Sequence, residues 1–238
     1  HMLFKATQKR SASQIINRLE AVGGELNAYT TKEETVVYAV SLRRDLPRAV
    51  ELVSDVCLNV CFLPDNLNKE KEVVMDEIDS YLDSPAESII DDFEDAVFSG
   101  YAIGRNILGT KQSLADVTVN RLQAFYDRTY TPDRQLLFMM GDITPQQAEK
   151  WAYRYFNTKT GVRNFTRQCP TNYEPCALTS NKQTSQAHCL IGGRAPSMFD
   201  ADRYAFSLLI NILGGPSTNS RLNMSLRERH ALVYQVEA

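Results

Sequence analysis

No segment of this chain approaches the roughly 18 consecutive apolar residues of a membrane-spanning helix. Its opening residues show no secretory signal pattern. An excess of either charge is missing too: 26 basic and 29 acidic residues are interspersed, for a formal net charge of −3. That balance argues against a nucleic-acid surface or an anionic-membrane footprint. Cysteine is sparse and unpatterned. Cys57, Cys61, Cys169, Cys176 and Cys189 make an odd count of 5 without zinc-finger spacing. Cys57 and Cys61 stand one helical turn apart in an apolar segment, as buried thiols do, and Cys169 and Cys176 flank a polar stretch across which they could pair. This usage favours a reducing compartment such as the cytoplasm, unless a leader precedes His1. Histidine is scarcer still. Of the 3 present, His188 falls in a strand-like segment and His230 at a helix end. Neither has a ligand-like neighbour, so both read as surface or packing residues, and His1 is left over.

What the chain does have is a 43% apolar fraction, ample for a packed core. Ser11 starts a helix with Ile15, Ile16, Leu19 and Val22 on one face, ended by Gly23-Gly24. Leu26 to Val40 reads as strands, rich in β-branched and aromatic residues and interrupted by Lys32-Glu33-Glu34. Pro47 sits in the first turn of a helix running through Val50, Leu52, Val53, Val56, Cys57 and Val60. Beyond Pro64-Asp65 a long helix runs to about Leu82, and Ile89 to Phe98 follows it. A loop with three glycines spans Gly100 to Thr110. Val119 to Tyr130 is a short amphipathic helix, and Leu136 to Met140 is an apolar run expected to be a buried strand. Thr144-Pro145 caps a helix through Trp151 and Phe156.

From Thr158 to about Lys182 periodicity fades, which suggests an interdomain linker plus an entering strand. Ala187 to Ile191 and Leu232 to Val236 read as strands, Asp200 to Leu213 and Ser220 to Arg229 as helices. The order predicts an α+β fold, mostly antiparallel sheet with helices packed on one face. The expected organisation is a first domain over 1–165, a linker over 166–182, and the start of a second, similar α+β domain over 183–238.

The long helix carries the best clue to function. At about 100° per residue, Glu72, Asp76, Asp79 and Asp83 gather on one face, as solvated acids should. Glu70 and Glu77 do not join them. Seven residues fall about 20° short of two turns, so these two acids share a side with Leu67, Val73, Val74, Ile78 and Tyr81. A carboxylate on an apolar stripe is costly unless a cation, a donor or a metal meets it. Two readings follow, a salt bridge at the edge of the core or a metal ligand with a supporting acid.

Several segments together resemble one family, the inverted-motif zinc metallopeptidases of pitrilysin, insulin-degrading enzyme and mitochondrial processing peptidase. His1-Met2-Leu3-Phe4-Lys5-Ala6-Thr7 is similar to the last histidine of the H-x-x-E-H motif and its continuation. Ala6 stands where glycine is usual. Gly23-Gly24-Glu25-Leu26-Asn27-Ala28-Tyr29-Thr30 resembles the G-G-x-x-N-A-x-T segment. Glu77 falls where the family has its third zinc ligand, about 75 residues beyond the motif, and Glu70 matches a supporting acid. Arg105 to Thr110, Phe125-Tyr126 with Tyr130-Thr131-Pro132, and Gly141-Asp142 are further landmarks. Gly214-Gly215, Ser220-Arg221-Leu222, Leu226-Arg227-Glu228 and Leu232-Val233-Tyr234 resemble the substrate-binding region of the second domain, with Ala231 in place of a usual glycine.

The resemblance implies a zinc-dependent endopeptidase acting on extended peptides between two halves, the second joined covalently or as a subunit. His1 and Glu77 would hold zinc, with Glu70 supporting them. Asn27 and Ala28 would lie on an edge strand that takes substrate by strand addition, and Arg227 with Tyr234 would grip the peptide. The motif's first histidine and its base glutamate are not in the sequence. The resemblance therefore also admits a different class, a non-catalytic partner that binds peptide or completes the chamber. A third possibility is a structural α+β protein with salt-bridged acids.

Overall fold

The computed structural model describes residues 1–156, 166 and 168–238. Residues 157–165 at the end of the expected first domain, and 167 in the expected linker, lie outside the described residues. Two compact units divide the chain, His1–Leu190 and Ile191–Ala238.

In the first unit, helix α1 (Ala12–Glu20) ends because Gly23 adopts φ +73°, a left-handed conformation that glycine takes without steric cost. The Gly24 amide then caps the Leu19 carbonyl at 2.9 Å. A Cβ on Gly24 would meet the Val40 carbonyl oxygen at 2.9 Å, so the turn also lets the next strand lie close to its neighbour. Strands β1 (Glu25–Thr30) and β2 (Thr35–Val40) form an antiparallel hairpin with Asn27 opposite Tyr38 and Ala28 opposite Val37. Alternation sends Leu26, Val37 and Ala39 to one face, where α1 and helix α2 (Leu46–Leu58) cover them. Ile15, Leu19, Leu52 and Val56 are fully enclosed there, and burial contributes about 1.5–3 kcal/mol for each such side chain. The fold is α+β, with helices on one face of a small antiparallel sheet.

Helix α3 (Pro64–Leu82) begins at a proline, whose missing amide hydrogen no helix needs in its first turn. Helix α4 (Pro85–Val97) follows after one turn, also led by proline. The short α5 (Lys111–Ala115) was not expected, and the Thr110 hydroxyl caps it by accepting from the Ser113 amide at 3.1 Å. Helix α6 (Val119–Thr129) docks through the Tyr126 hydroxyl, which donates to the Cys57 carbonyl at 2.7 Å. Helix α7 (Pro145–Tyr155) starts with a reciprocal capping box between Thr144 and Gln147. The second unit holds helix α8 (Arg203–Gly214) and a π-helical turn over Asn223–Arg229.

Several expectations are corrected. Leu136 to Met140 pairs with no strand among the described residues; Leu136 is 93% and Phe138 78% exposed. An apolar run becomes a buried strand only when a neighbouring strand accepts its backbone groups. Ala187–Ile191 and Leu232–Val236 likewise form no ladder among the described residues. Cys61 lies past the end of α2, with its amide bonded to the Ala6 carbonyl, and Cys169 and Cys176 are free thiols. Among the described residues no helix is long and apolar enough to cross a membrane.

Candidate metal centre

The segment that carries His1 is strapped to the end of α2. The Cys61 amide bonds to the Ala6 carbonyl and the Gln8 amide to the Asn59 carbonyl, each at 2.9 Å, and Thr7 bridges Val60. Beneath them Asp55, 2% exposed, accepts from the Thr7 hydroxyl at 2.8 Å, from Arg10 Nη1 at 2.5 Å and from Asn59 at 3.1 Å. Arg10 also reaches Glu51 at 2.6 Å. Burial alone would lower the Arg10 pKa, but its bonds to Glu51 and Asp55 outweigh that and raise it. A buried carboxylate is tolerated here because both of its oxygens have donors, one of them a guanidinium.

With the strap in place, a 3-10 turn over Met2–Phe4 brings His1 and Lys5 to the same side, over α3. His1 Nδ1 lies 3.2 Å from Glu70 Oε2, and His1 Nε2 lies 3.5 Å from Glu77 Oε2. Lys5 Nζ takes the other Glu70 oxygen at 2.6 Å. The two acids differ in setting. The Glu70 side chain is 9% exposed and fully engaged, whereas that of Glu77 is 46% exposed. The apolar side of α3 is also narrower than periodicity suggests: Leu67 and Ile78 are buried, but Val73 is 52% exposed. Glu72, Asp76, Asp79 and Asp83 all face solvent.

The two acids therefore stand differently toward the two open readings. Glu70 is a salt-bridged acid at the core edge. Glu77 and His1 face one another across a gap too wide for a good hydrogen bond. Two ligands each about 2.0–2.2 Å from a tetrahedral zinc ion lie about 3.4 Å apart, so this pair fits as two corners of such a site. The imidazole nitrogen turned to Glu70 leaves the other turned to Glu77, the usual outer-carboxylate arrangement of a metal-binding histidine. Among the described residues no three His, Cys, Asp or Glu side chains form a complete ligand set.

The expected substrate residues lie elsewhere. Asn27 and Ala28 sit mid-strand in β1, which pairs on one side with β2 and with no other strand among the described residues. Asn27 is exposed on the outer face, beside the tilted pair Tyr29 and Tyr38. Arg227 falls in the π-helical turn of the second unit, with its guanidinium 3.9 Å from Glu228, and Tyr234 is 87% exposed. Ala231, between them, adopts φ +49°.

Sequence reasoning missed two groups. One is Lys5, whose signal was its spacing four residues from His1. The other is Lys32 in the hairpin turn, which binds Asp91 at 2.6 Å, Glu94 at 3.0 Å and the Arg105 carbonyl at 2.8 Å. Asp91 also accepts from Tyr81 and from Asn106. Burial would raise the Asp91 pKa, but hydrogen bonds from Lys32 and Tyr81 hold it below the carboxylate range. For Lys32 burial lowers the pKa and its bonds to Asp91 and Glu94 raise it, with a net rise. This node pins the β1–β2 turn to α4 and gives Asn106, in the Arg105 to Thr110 segment, a structural role.

Comparison with known proteins divides the chain at an earlier point than its two compact units do. Residues 1–111 match the family described as insulinase, peptidase family M16, and residues 116–238 match that described as the peptidase M16 inactive domain. An uncharacterized zinc protease of Mycobacterium leprae is 35% identical over 99% of this chain and 54% of its own length. The uncharacterized zinc protease YmxG of Bacillus subtilis is 33% identical over 99% of this chain and 57% of its own length. The chain thus spans about half the length of the curated relatives it matches. Among solved structures, a peptidase M16 inactive domain from Pseudomonas fluorescens shares the fold, with a TM-score of 0.80 and 19% identity over 99% of this chain and 58% of that one.

Proposed function

We propose that this chain, which belongs to the M16 family of peptidases, supplies part of the active half of a zinc-dependent endopeptidase. The observation that carries the reading is the placement of His1, with one ring nitrogen toward the enclosed Glu70 and the other toward the open Glu77. His1 and Glu77 would hold the ion. When bound, zinc supplies Lewis acidity at a carbonyl and makes water a competent nucleophile near neutral pH. Glu70 orients the His1 ring rather than ligating, since Lys5 already occupies its second oxygen.

The edge of β1 at Asn27 and Ala28 takes an extended peptide by main-chain pairing, which replaces the 2.8 Å bond from the Ala28 amide to Asn27 Oδ1 and gives affinity with little sequence preference. Arg227 and Tyr234, both open to solvent, offer a cation and a hydroxyl to a peptide carbonyl. Substrate would be enclosed with a second, similar half, joined covalently or as a subunit. A second reading, a non-catalytic partner that completes such a chamber, draws on the match of residues 116–238 to the family's inactive domain.

The test has two parts. The frame encoding the residues before His1 is read first: His-x-x-Glu there supports the peptidase, and other residues support the partner. The protein carrying that frame is then purified with and without Glu77→Gln. Loss of bound zinc and of turnover of an unfolded peptide is expected. Metal content and turnover that survive the substitution would remove Glu77 from the site and sink its assignment as a zinc ligand.

A further inference from the structure

We infer that Lys5 is a positioning residue, holding one oxygen of Glu70 so that the other is aimed at Nδ1 of His1 and Nε2 is turned toward Glu77. The inference rests on the reading of His1 as a metal-facing histidine. Three observations converge on it. Lys5 Nζ lies 2.6 Å from Glu70 Oε1 while His1 Nδ1 lies 3.2 Å from Oε2, so the two residues share one carboxylate, one on each oxygen. The Glu70 side chain is 9% exposed, leaving little water to orient it. Lys5 closes the 3-10 turn with its amide on the Met2 carbonyl at 3.2 Å, which fixes its backbone relative to His1.

The physical consequence is a division of labour between the two acids. A carboxylate that can rotate freely offers either oxygen to the imidazole, and it competes with Glu77 for any cation. Once an ammonium is bound to Oε1, that oxygen is a poor cation ligand and the plane of the carboxylate is set. Oε2 then has one partner left, Nδ1 of His1. A ring nitrogen bound in this way settles which nitrogen faces the metal. Lys5 is 36% exposed at its side chain, so it acts by direction rather than by burial.

The test uses the protein carrying the frame upstream of His1, with its histidines labelled with ¹⁵N, metal-free for the ring signals and at one fixed pH, as the unaltered protein and as Lys5→Met, Lys5→Arg, Glu70→Gln and the Lys5→Met/Glu70→Gln pair. Far-UV spectra control for folding. Lys5→Met is expected to shift the His1 ring ¹⁵N signals toward those of an unrestrained imidazole. It should also weaken zinc binding by about tenfold, read by competition with a chromophoric chelator. Lys5→Arg should restore both readouts. In the Glu70→Gln background Lys5→Met should change neither, because its route runs through Glu70. Unchanged His1 signals in Lys5→Met, or the same shift with and without Glu70, would overturn the assignment. If the signals depend on Lys5 but the unaltered protein with its upstream frame takes up no zinc, the positioning role stands and the zinc reading fails instead.

Discussion

Helices α2 and α8 are both rich in apolar residues, yet they meet opposite fates. In α2, Leu52 and Val56 are wholly enclosed against α1 and the hairpin. In α8, the most continuous apolar helix among the described residues, Tyr204 is 70%, Leu208 62% and Leu209 50% exposed. An apolar stripe specifies only that a surface is wanted, and a sheet with its own apolar face must be present to meet it. Leu136 to Met140 teaches the same lesson for a strand. In the first unit the hairpin, α1 and α2 satisfy one another; in the second unit the helix has no sheet among the described residues.

The largest effect should come from the buried charge beneath the His1 strap. Asp55→Ala leaves Arg10 without a buried partner and should destabilise the first unit by about 3–5 kcal/mol, read from Trp151 fluorescence in urea. Retained stability would mean that Glu51 alone holds Arg10, and the strap would not depend on Asp55. The helix comparison is next. Leu52→Ala should cost about 2–5 kcal/mol by emptying a packed site, whereas Leu209→Ala should cost well under about 1 kcal/mol. Equal costs would show that α8 has a covered face, and would erase the contrast.

The hairpin anchor gives a pH dependence. The folded pKa of Asp91 is depressed, so its contribution is present above about pH 4, its unfolded value, and is lost as pH falls through the folded value. Lys32 is raised, so its contribution is present below about pH 10.5 and is lost as pH rises further. Lys32→Met should remove about 1.5–3 kcal/mol at neutral pH and flatten both limbs. Unchanged limbs would mean the turn is held by other contacts.

A smaller gain is expected in the second unit. Ala231 sits at φ +49°, where glycine is free of the Cβ clash, so Ala231→Gly should stabilise that turn by less than about 1 kcal/mol. Slower hydrogen exchange at residue 231, whose amide bonds to the Arg227 carbonyl, would register it. Smallest in energy but sharp in readout is thiol reactivity. Burial pushes the Cys57 thiol up to about 12, so at pH 8 an alkylating reagent should label the exposed Cys169, Cys176 and Cys189 and spare Cys57. Labelling of Cys57 at the same rate would show that α2 opens readily, against the contrast drawn with α8.

Much of this was legible from residues alone, because the signals were local. Gly23-Gly24 marks the end of α1 by backbone freedom, Pro64 and Thr144-Pro145 mark helix starts, and alternation around Lys32-Glu33-Glu34 marks the hairpin. Periodicity along α3 separated Glu70 and Glu77 from the solvated acids without knowledge of what they meet. The tertiary structure decided the rest, since partners come from distant segments. It buried Glu70 and left Glu77 open, set Lys5 on the first and His1 between the two, and joined Lys32 to Asp91. It also decided which apolar runs found a surface. Local geometry is written in spacing because dihedral preferences act over a few residues, whereas burial and charge pairing depend on which segments the chain brings within a few ångströms of each other.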